Sequence, residues 1–400
     1  MVEITNKKKC CGCTACAEIC PKHCIEMKED NEGFLYPFVD VEKCVNCGLC
    51  NKACPELNVG RKIKPLKVWA AYSIDEEIRK NSSSGGIFFT VASHIIHKGG
   101  VVFGARYNEQ WGVEFGKAET VEDLKPLMVS KYVQSNVGSA YIECKQLLKE
   151  GRPVFFTGTS CQIAGLRCFL GKECDSLLTA EVVCHGVPSP RVWHMYLDEI
   201  RNEVKGVGVE KGIIETISFR KKNPSWDRFN FNVSFKGENA SKKESGIDVY
   251  HMENIYMKGF VYNLILRPSC YECPFKSGRS GADLTIADYW GVKKFHPDFY
   301  DDKGTSIVMA NTNKGKGVVD ELKLRKVESS YSKVRYSNPA IVKPHKPHVK
   351  RDVFFNSFRD KDSISDWLDE CLIIPNWLKQ KQQLESVINI IIRKIKYGIL

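Results

Sequence analysis

The 400-residue chain is long enough for two or three domains, each with its own core. Its hydrophobic content of 43% and charged content of 27% are typical of soluble globular proteins, and no apolar run approaches the roughly 18–20 residues that span a bilayer. The net charge of +11 is dispersed and comes without a nucleic-acid recognition motif. We therefore expect no transmembrane segment and no nucleic-acid partner, and an anionic cofactor or substrate accounts better for the charge.

The first structural unit is predicted from cysteines, because ten of the eighteen fall in the first 54 residues. No secretory h-region precedes them, so we expect a cytoplasmic protein in which crowded cysteines are metal or redox ligands rather than disulfides. The run Cys-x2-Cys-x2-Cys-x3-Cys-Pro occurs twice, at 10–21 and at 44–55. This pattern is typical of paired 4Fe–4S clusters, in which the fourth cysteine of each run ligates the other cluster.

The spacing therefore predicts two interlocked clusters. One is held by Cys10, Cys13, Cys16 and Cys54, and the other by Cys44, Cys47, Cys50 and Cys20. A pair of zinc knuckles is the alternative, but zinc sites usually close with four local ligands. Cys11 and Cys24 lie outside the spacing and are not expected to be ligands.

After a linker at 60–67, the pattern changes to strands alternating with helices. Strands are predicted at 68–73 and 101–107, with a helix between them that the serines of "NSSSGG" would cap and Gly99-Gly100 would end. The "SSSGG" segment (82–86) also allows close approach of a phosphate or a planar ring, although an ordinary capped helix explains it too. A helix at 141–151, a strand at 153–158, a helix at 162–170 and a strand at 177–186 follow. This alternation indicates a parallel sheet.

Cys161 and Cys184 each follow a predicted parallel strand, so they should meet at the carboxyl edge of the sheet, where such folds bind ligands. Strand-like segments begin at about residue 212, and "RPSCYECPFK" among them contains the isolated pair Cys270 and Cys273. The four cysteines together would hold a third cluster. A structural zinc at the same residues, or a pair that binds nothing, remains open.

Residues 68–360 resemble the coenzyme F420 hydrogenase/dehydrogenase beta-subunit family. The segments that carry the resemblance occur in the family's order: "NSSSGGIF", "GGVVFGARY", "SKYVQS" (130–135), "GTSCQIAGL", "CHGVPSP", "FRKKNPSW", "RPSCYECPFK" and "DLTIADYWG". A fused two-cluster ferredoxin module also occurs in that family. The one visible departure is Ser160, where the family commonly has proline.

The resemblance implies an α/β (α+β overall) fold, with a small two-cluster ferredoxin-like module before a mixed or parallel-sheet flavin-binding core. The implied boundaries are 1–60 for the ferredoxin module, 68–205 and 206–360 for the N-terminal-type and C-terminal-type regions of the beta subunit, and 361–400 for a helical tail. It also implies FAD beside a third 4Fe–4S cluster. The residues expected to bind the flavin are Ser82, Ser83, Ser84, Gly85, Gly86, Lys131, Tyr132, Ser135, Thr157, Gly158, Thr159 and Gln162.

The function implied is an iron–sulfur flavoprotein oxidoreductase. It would exchange a hydride with a small redox substrate, such as the deazaflavin F420, and single electrons with ferredoxin or a partner oxidoreductase. No acid or base is assigned; His185, Lys131 and Asp288 are weak catalytic candidates. Arg267 and Lys276, beside the Cys-x-x-Cys pair, would bind an anionic cofactor or lie in solvent.

Two alternatives remain at this point. The chain would be a non-catalytic electron-transfer subunit if it had no substrate of its own. It would be an accessory iron–sulfur protein of glycan synthesis if the basic apolar tail 384–400 contacted a membrane surface weakly, although a helix packed on the body explains that tail more simply.

Overall fold

The computed structural model describes residues 1–205, 212–236 and 246–373, and residue 392. Its N-terminal module consists of the helices α1 (Ala15–Glu18) and α2 (Leu49–Ala53) and the strands β1 (Ile25–Glu29) and β2 (Leu35–Val39). The two strands form an antiparallel hairpin in which Ile25 pairs with Val39. Each cysteine run ends close to one of the two short helices, so the hairpin and the helices together bring the runs side by side.

A larger body follows the module. Its strands are β3 (Lys67–Ser73), β4 (Val101–Tyr107), β5 (Val113–Ala118), β6 (Val154–Thr159), β7 (Leu177–Val182), β8 (Ile214–Lys221), β9 (Asn230–Phe235), β10 (Gly246–Tyr250), β11 (Leu284–Asp288), β12 (Ser306–Ala310) and β13 (Leu324–Glu328). Its helices are α3 (Glu76–Lys80), α4 (Ile87–His97), α5 (Ala140–Lys149), α6 (Ser160–Leu170), α7 (Pro190–Lys205), α8 (Ile255–Val261), α9 (Val292–Phe295), α10 (Asn313–Glu321), α11 (Tyr331–Ser337), α12 (Arg351–Ser357) and α13 (Ile364–Leu372). Short 3-10 helices lie at Lys7–Lys9, Glu122–Leu127, Pro268–Glu272, Pro297–Phe299, Pro339–Ile341 and Phe358–Asp360.

Eight of these strands form one mixed sheet in the order β13-β3-β12-β11-β7-β6-β4-β5. Strands β4, β6, β7 and β11 run parallel to their neighbours in this group, while β5, β12, β3 and β13 pair antiparallel. Strands β8, β9 and β10 form a separate antiparallel sheet. The mixed α/β fold and the predicted parallel segment are confirmed, and the large sheet takes strands from both regions expected for the family.

Neighbouring residues of β6 show how the sheet separates two cores, because successive side chains of a strand point to opposite faces. Phe155 packs with α4 on one face. Phe156 packs on the other face with α5, α6 and the first cysteine loop of the N-terminal module. The module therefore lies against α5 and α6, on the side of the sheet opposite α4.

The start of α4 differs from the sequence prediction. The helix begins at Ile87, and its N-cap is Gly86 in a left-handed conformation (φ 81°) rather than a serine. The serine hydroxyls are used elsewhere: Ser82 donates to the Ile78 carbonyl, and Ser84 donates to the Thr305 carbonyl. The prediction that serines cap α4 was therefore wrong. These hydroxyls bind neighbouring carbonyls and hold the loop in place, and they do not accept from the first amides of the helix.

The C-terminal tail 384–400 lies outside the described residues, apart from residue 392, so its predicted helical packing and membrane contact stay predictions. Within the described ranges, none of the helices combines the length and the apolar character that crossing a membrane requires.

Candidate functional site

A cavity of about 750 Å³ lies at the carboxyl ends of the parallel strands β6 and β7. This is the edge where open α/β sheets bind ligands, and the volume is in the range of cofactor sites. Eleven of the twelve residues expected to bind a flavin line it: Ser82, Ser83, Ser84, Gly86, Lys131, Tyr132, Ser135, Thr157, Gly158, Thr159 and Gln162. The structure thus brings three distant sequence segments together around one space.

Gly85 is the exception, because it faces the sheet. Its amide donates to the Ser306 hydroxyl at 3.0 Å, and a Cβ added to it would lie 2.6 Å from the Ala71 carbonyl oxygen. The glycine is therefore required where the loop passes close to β3, and it supports the cavity wall without lining it.

The turn before Lys131 forms a second wall and is strained. Val129 has a φ of 67°, which is costly for a β-branched residue. Three hydrogen bonds hold the turn: the Ser130 amide donates to the Ser83 hydroxyl at 2.7 Å, and the Lys131 ammonium donates to the carbonyls of Met128 and Val129. Burial lowers the pKa of Lys131 to about 7. A lysine that changes charge near neutrality therefore lies at the cavity wall.

The turn between β6 and α6 forms the third wall. Thr159 and Gln162 make a capping box at the start of α6, and the Gln162 amide also donates to the Ser135 hydroxyl at 2.8 Å. Ser160 takes the first helical position and is buried. The serine in place of proline therefore leaves the helix start intact, with Cys161 in the first turn.

We call the space beside this cavity pocket C; the cysteines that line it are Cys11, Cys161, Cys184, Cys270 and Cys273. Cys161 comes from α6, Cys184 follows β7, and the other pair lies at the 3-10 helix Pro268–Glu272. The Val187 amide donates to the Cys270 sulfur at 3.4 Å. Burial raises the pKa of Cys184 to about 11 and that of Cys273 to about 12.

Two further thiol pockets lie in the N-terminal module. Pocket A is lined by Cys10, Cys11, Cys13, Cys16 and Cys54. Pocket B is lined by Cys20, Cys24, Cys44, Cys47 and Cys50. Each pocket takes three cysteines of one run and the fourth cysteine of the other, together with one cysteine that lies outside the spacing. Cys24 is close to Cys20, with 3.4 Å between the two sulfurs.

The three pockets and the cavity form a continuous series. The cavity and pocket C share Cys184 and His185 as lining residues, and pockets C and A share Cys11 and Glu56. Cys16 of pocket A packs against the apolar cluster that contains Cys20 and Cys50 of pocket B. The series ends at Cys47, which is exposed.

The pockets suit an iron–sulfur group by the chemistry of their donors, since four or more thiols surround each one and thiolates are the usual ligands of such clusters. In the part of the chain that the structure describes, no group of three or more His, Cys, Asp or Glu side chains could hold one metal ion as the side chains stand. The fit therefore rests on the thiols that surround each pocket.

Arg267 and Lys276 do not lie in solvent. Arg267 has no exposed surface, and Lys276 is 9% exposed. The Arg267 guanidinium donates to the Cys10 carbonyl and to Gln134, and the Lys276 ammonium donates to the Cys184 carbonyl. The interpretation as solvated surface was wrong, because both cations bind the backbone of cysteine loops.

The three weak catalytic candidates all line the cavity. His185 is bonded through Nε2 to the Asn263 side chain at 2.7 Å, and burial lowers its pKa to about 4. Both carboxylate oxygens of Asp288 accept from the Arg220 guanidinium, and one also accepts from Trp226. Asp288 is thus engaged in a part-buried ion pair. Among the described residues, the hydrogen bonds of the Lys131 ammonium go to carbonyls, and the ammonium also lies 5.5 Å from the centre of the Tyr107 ring.

Sequence reasoning missed His345, whose ring packs against that of His185 with 4.0 Å between the centroids and 30° between the ring planes. Its Nε2 is buried at the wall of the cavity and has no hydrogen-bond partner among the described residues. It also missed Arg220, although the "FRKKNPSW" segment contains it. That segment was the only available signal, since the neighbours of Arg220 come from distant parts of the chain.

Comparison with known proteins gives two family matches. Residues 151–331 match the model for the C terminus of the coenzyme F420 hydrogenase/dehydrogenase beta subunit. Residues 9–58 match the 4Fe-4S dicluster domain. No curated protein matches the chain. Among solved structures, a chain of the xenon-derivatised F420-reducing NiFe hydrogenase complex from Methanosarcina barkeri is similar at 18% identity and a TM-score of 0.44, over 77% of this chain and 91% of that one.

Proposed function

We propose that the chain, which matches the C terminus of the coenzyme F420 hydrogenase/dehydrogenase beta subunit over residues 151–331 and a 4Fe-4S dicluster domain over residues 9–58, is an FAD-dependent iron–sulfur oxidoreductase. It exchanges two electrons with a small organic substrate, such as F420 or a similar deazaflavin, and single electrons with ferredoxin or a partner oxidoreductase. The two matched domains make it an iron–sulfur electron-transfer protein of oxidoreductase type. The flavin, the third cluster and the identity of the partners are the proposal.

The observation that carries this proposal is the unbroken series from the cavity through pockets C, A and B. The cavity shares lining residues with pocket C, and pocket C shares lining residues with pocket A. Pockets A and B are joined by packing, because Cys16 lies against the apolar cluster that contains Cys20 and Cys50, and pocket B ends at the exposed Cys47. A series that starts in a large cavity and ends at the surface suits electron transfer between a small molecule and a protein.

We propose that Cys161, Cys184, Cys270 and Cys273 hold the third cluster, with the two predicted cysteine sets holding clusters in pockets A and B. A bound flavin would supply the change between two-electron and one-electron chemistry, and the clusters would supply the one-electron steps. The residues of the chain do the rest: the loop at 82–86 and the turn at 157–162 shape the cavity, and Lys131 provides a donor at its wall.

Turnover tests the proposal. The full chain, purified anaerobically, should oxidise reduced F420 or a related deazaflavin and reduce a viologen. Cys270→Ala should abolish viologen reduction, because it removes one thiol of pocket C. Cys371→Ala is the matched control, since it removes a buried thiol of α13 that lines none of the three pockets and should turn over as the wild type does.

The results that would contradict the proposal are specific. Wild-type turnover by Cys270→Ala would mean that the electrons do not pass pocket C. Protein that contains iron but no flavin, and that shows no turnover, would favour the non-catalytic electron-transfer subunit. The accessory role in glycan synthesis rests on the tail 384–400, which lies outside the described residues, and no contact among the others favours it.

A further inference from the structure

Arg267 is a buried cation at the contact between pocket A and the large body. The side chain has no exposed surface. Its Nε donates to the Cys10 carbonyl at 2.8 Å and one Nη donates to Gln134 at 3.0 Å, while the other donates to the Leu35 carbonyl at 2.9 Å. The same Nη lies 3.6 Å from the Cys10 sulfur. The guanidinium therefore bonds both the backbone and the thiol of one predicted ligand.

The residues around Arg267 leave room for its guanidinium to lie close to the loop of pocket A. A Cβ on Gly12 would lie 2.8 Å from both an Arg267 nitrogen and the Gln134 amide nitrogen, and Gly12 has a φ of 69° that favours glycine. The Gln134 amide donates in turn to the Cys11 carbonyl at 3.1 Å. The loop of pocket A is thus fitted around the guanidinium, and Gln134 fixes its orientation.

The missing partner is a negative charge. Among the described residues, the hydrogen bonds of the Arg267 guanidinium go to carbonyls, to an amide oxygen and to the Cys10 sulfur, and none goes to a carboxylate. The nearby Glu56 carboxyl interacts electrostatically with Arg267, but burial raises its pKa to about 7. A buried guanidinium without a hydrogen-bonded counter-charge is strongly disfavoured. A Cys10 thiolate that ligates a cluster would supply that charge, and the balance would improve further when the cluster is reduced, because its net charge becomes more negative.

Hydrogen bonds to the sulfurs and the local net charge are among the features that set the reduction potential of an iron–sulfur cluster. We propose that Arg267 raises the reduction potential of the cluster in pocket A and so makes pocket A a favourable position for an electron that leaves pocket C. The inference rests on the proposed cluster ligands. Arg267 acts through Cys10 and is a positioning residue.

Arg351 offers a matched control, because it is also a buried arginine that joins the module to the large body. It is 6% exposed and pairs with Glu32 of the module, and it donates to the Leu266 carbonyl at 2.9 Å. Its hydrogen bonds go to a carboxylate and a carbonyl. Arg351→Met therefore weakens the docking of the module and leaves the charge at Cys10 in place.

The test is an anaerobic redox titration of the full chain, followed by electron paramagnetic resonance, with iron measured in each sample. Cys54→Ala identifies the signal of pocket A by its loss. Arg267→Met should lower the potential of that signal by at least tenfold in the reduction equilibrium, about 59 mV for a one-electron couple. Arg351→Met should leave it unchanged, and Arg267→Lys, which keeps the charge, should shift it less than Arg267→Met.

An equal shift in Arg267→Met and Arg351→Met, or no shift in either, would overturn the inference. If Arg267→Met loses about four irons, Gln134→Leu takes its place, since it keeps the buried cation and removes the acceptor that orients it, together with the donor to the Cys11 carbonyl. A negative shift in Gln134→Leu supports the inference, and an unchanged potential overturns it. If the wild type has its full iron content but the variant keeps the wild-type potential, only the proposed role of Arg267 is refuted. If the wild type binds no cluster, the proposed function itself is refuted.

Discussion

Arg79 anchors the short helix α3, which precedes the cavity-lining serines, and its replacement by methionine should weaken both the fold and the cavity. The side chain is 1% exposed. Its two Nη atoms donate to the Asp301 carboxylate at 2.6 and 2.5 Å, and Nε donates to the Gly304 carbonyl at 2.9 Å. The guanidinium also lies 3.6 Å from the centre of the Tyr72 ring. Arg79→Met keeps much of the apolar contact and removes every donor.

The magnitude follows from what the change leaves behind. Breaking a buried ion pair by removing one partner costs about 3–5 kcal/mol, because the other charge stays buried. The Asp301 side chain is 37% exposed, so water recovers part of its solvation. The expected loss is therefore at the lower end, about 3 kcal/mol of unfolding free energy.

Denaturant unfolding of the anaerobic protein measures this loss, and flavin released on dilution reports the cavity. Lys303→Met is the matched control, since it breaks an ion pair with Glu76 between the same two segments in which both side chains are more than half exposed. Exposed pairs contribute little. If Arg79→Met were no more destabilising than Lys303→Met, the reasoning from burial would be refuted.

Two further substitutions should change a measurable property in a known direction: Lys131→Met the thermal stability, and Gly12→Ala the iron content. Burial lowers the pKa of Lys131 to about 7, so between pH 7 and about 10.4 the unfolded state binds one more proton than the folded state and stability rises with pH. Lys131→Met should therefore exceed the wild type in thermal midpoint most below pH 7, and a gap that is constant up to pH 10 would contradict this. Gly12→Ala should release iron from pocket A, because the added Cβ meets Arg267 and Gln134; the same change at Gly171, which also has a positive φ but nothing within 4 Å of its Cβ, should keep the iron, and equal iron in both would refute the steric argument.

Local sequence patterns predict those parts of the fold in which apolar residues recur with a clear period, or in which a sequence motif repeats. The parallel strands β4, β6 and β7 were predictable from short buried runs between helices. From their direction, it followed that Cys161 and Cys184 would lie at one sheet edge. The antiparallel strands β5, β12 and β13 were not predicted. For β12 and β13 the reason is that pairing with the distant β3 leaves no local signal of neighbour or direction, whereas β5 pairs with the preceding strand β4.

The candidate site shows the same division. The doubled cysteine run predicted which thiols would be grouped, since its spacing is specific. The roles of the serines and cations could not be predicted, because a hydroxyl or a guanidinium finds partners far away in sequence. Ser83 is bonded to Ser130, and Arg267 reaches Cys10 across more than 250 residues.

The central claim is that the chain holds one series of redox groups, which runs from a flavin through a third cluster to the two clusters of the N-terminal module. Iron, acid-labile sulfide and flavin, measured per chain after anaerobic purification, test it most directly. The account predicts about twelve irons and about one FAD for the wild type, and about four irons fewer for Cys270→Ala. About eight irons in the wild type, an unchanged iron content in Cys270→Ala, or the absence of flavin would contradict it.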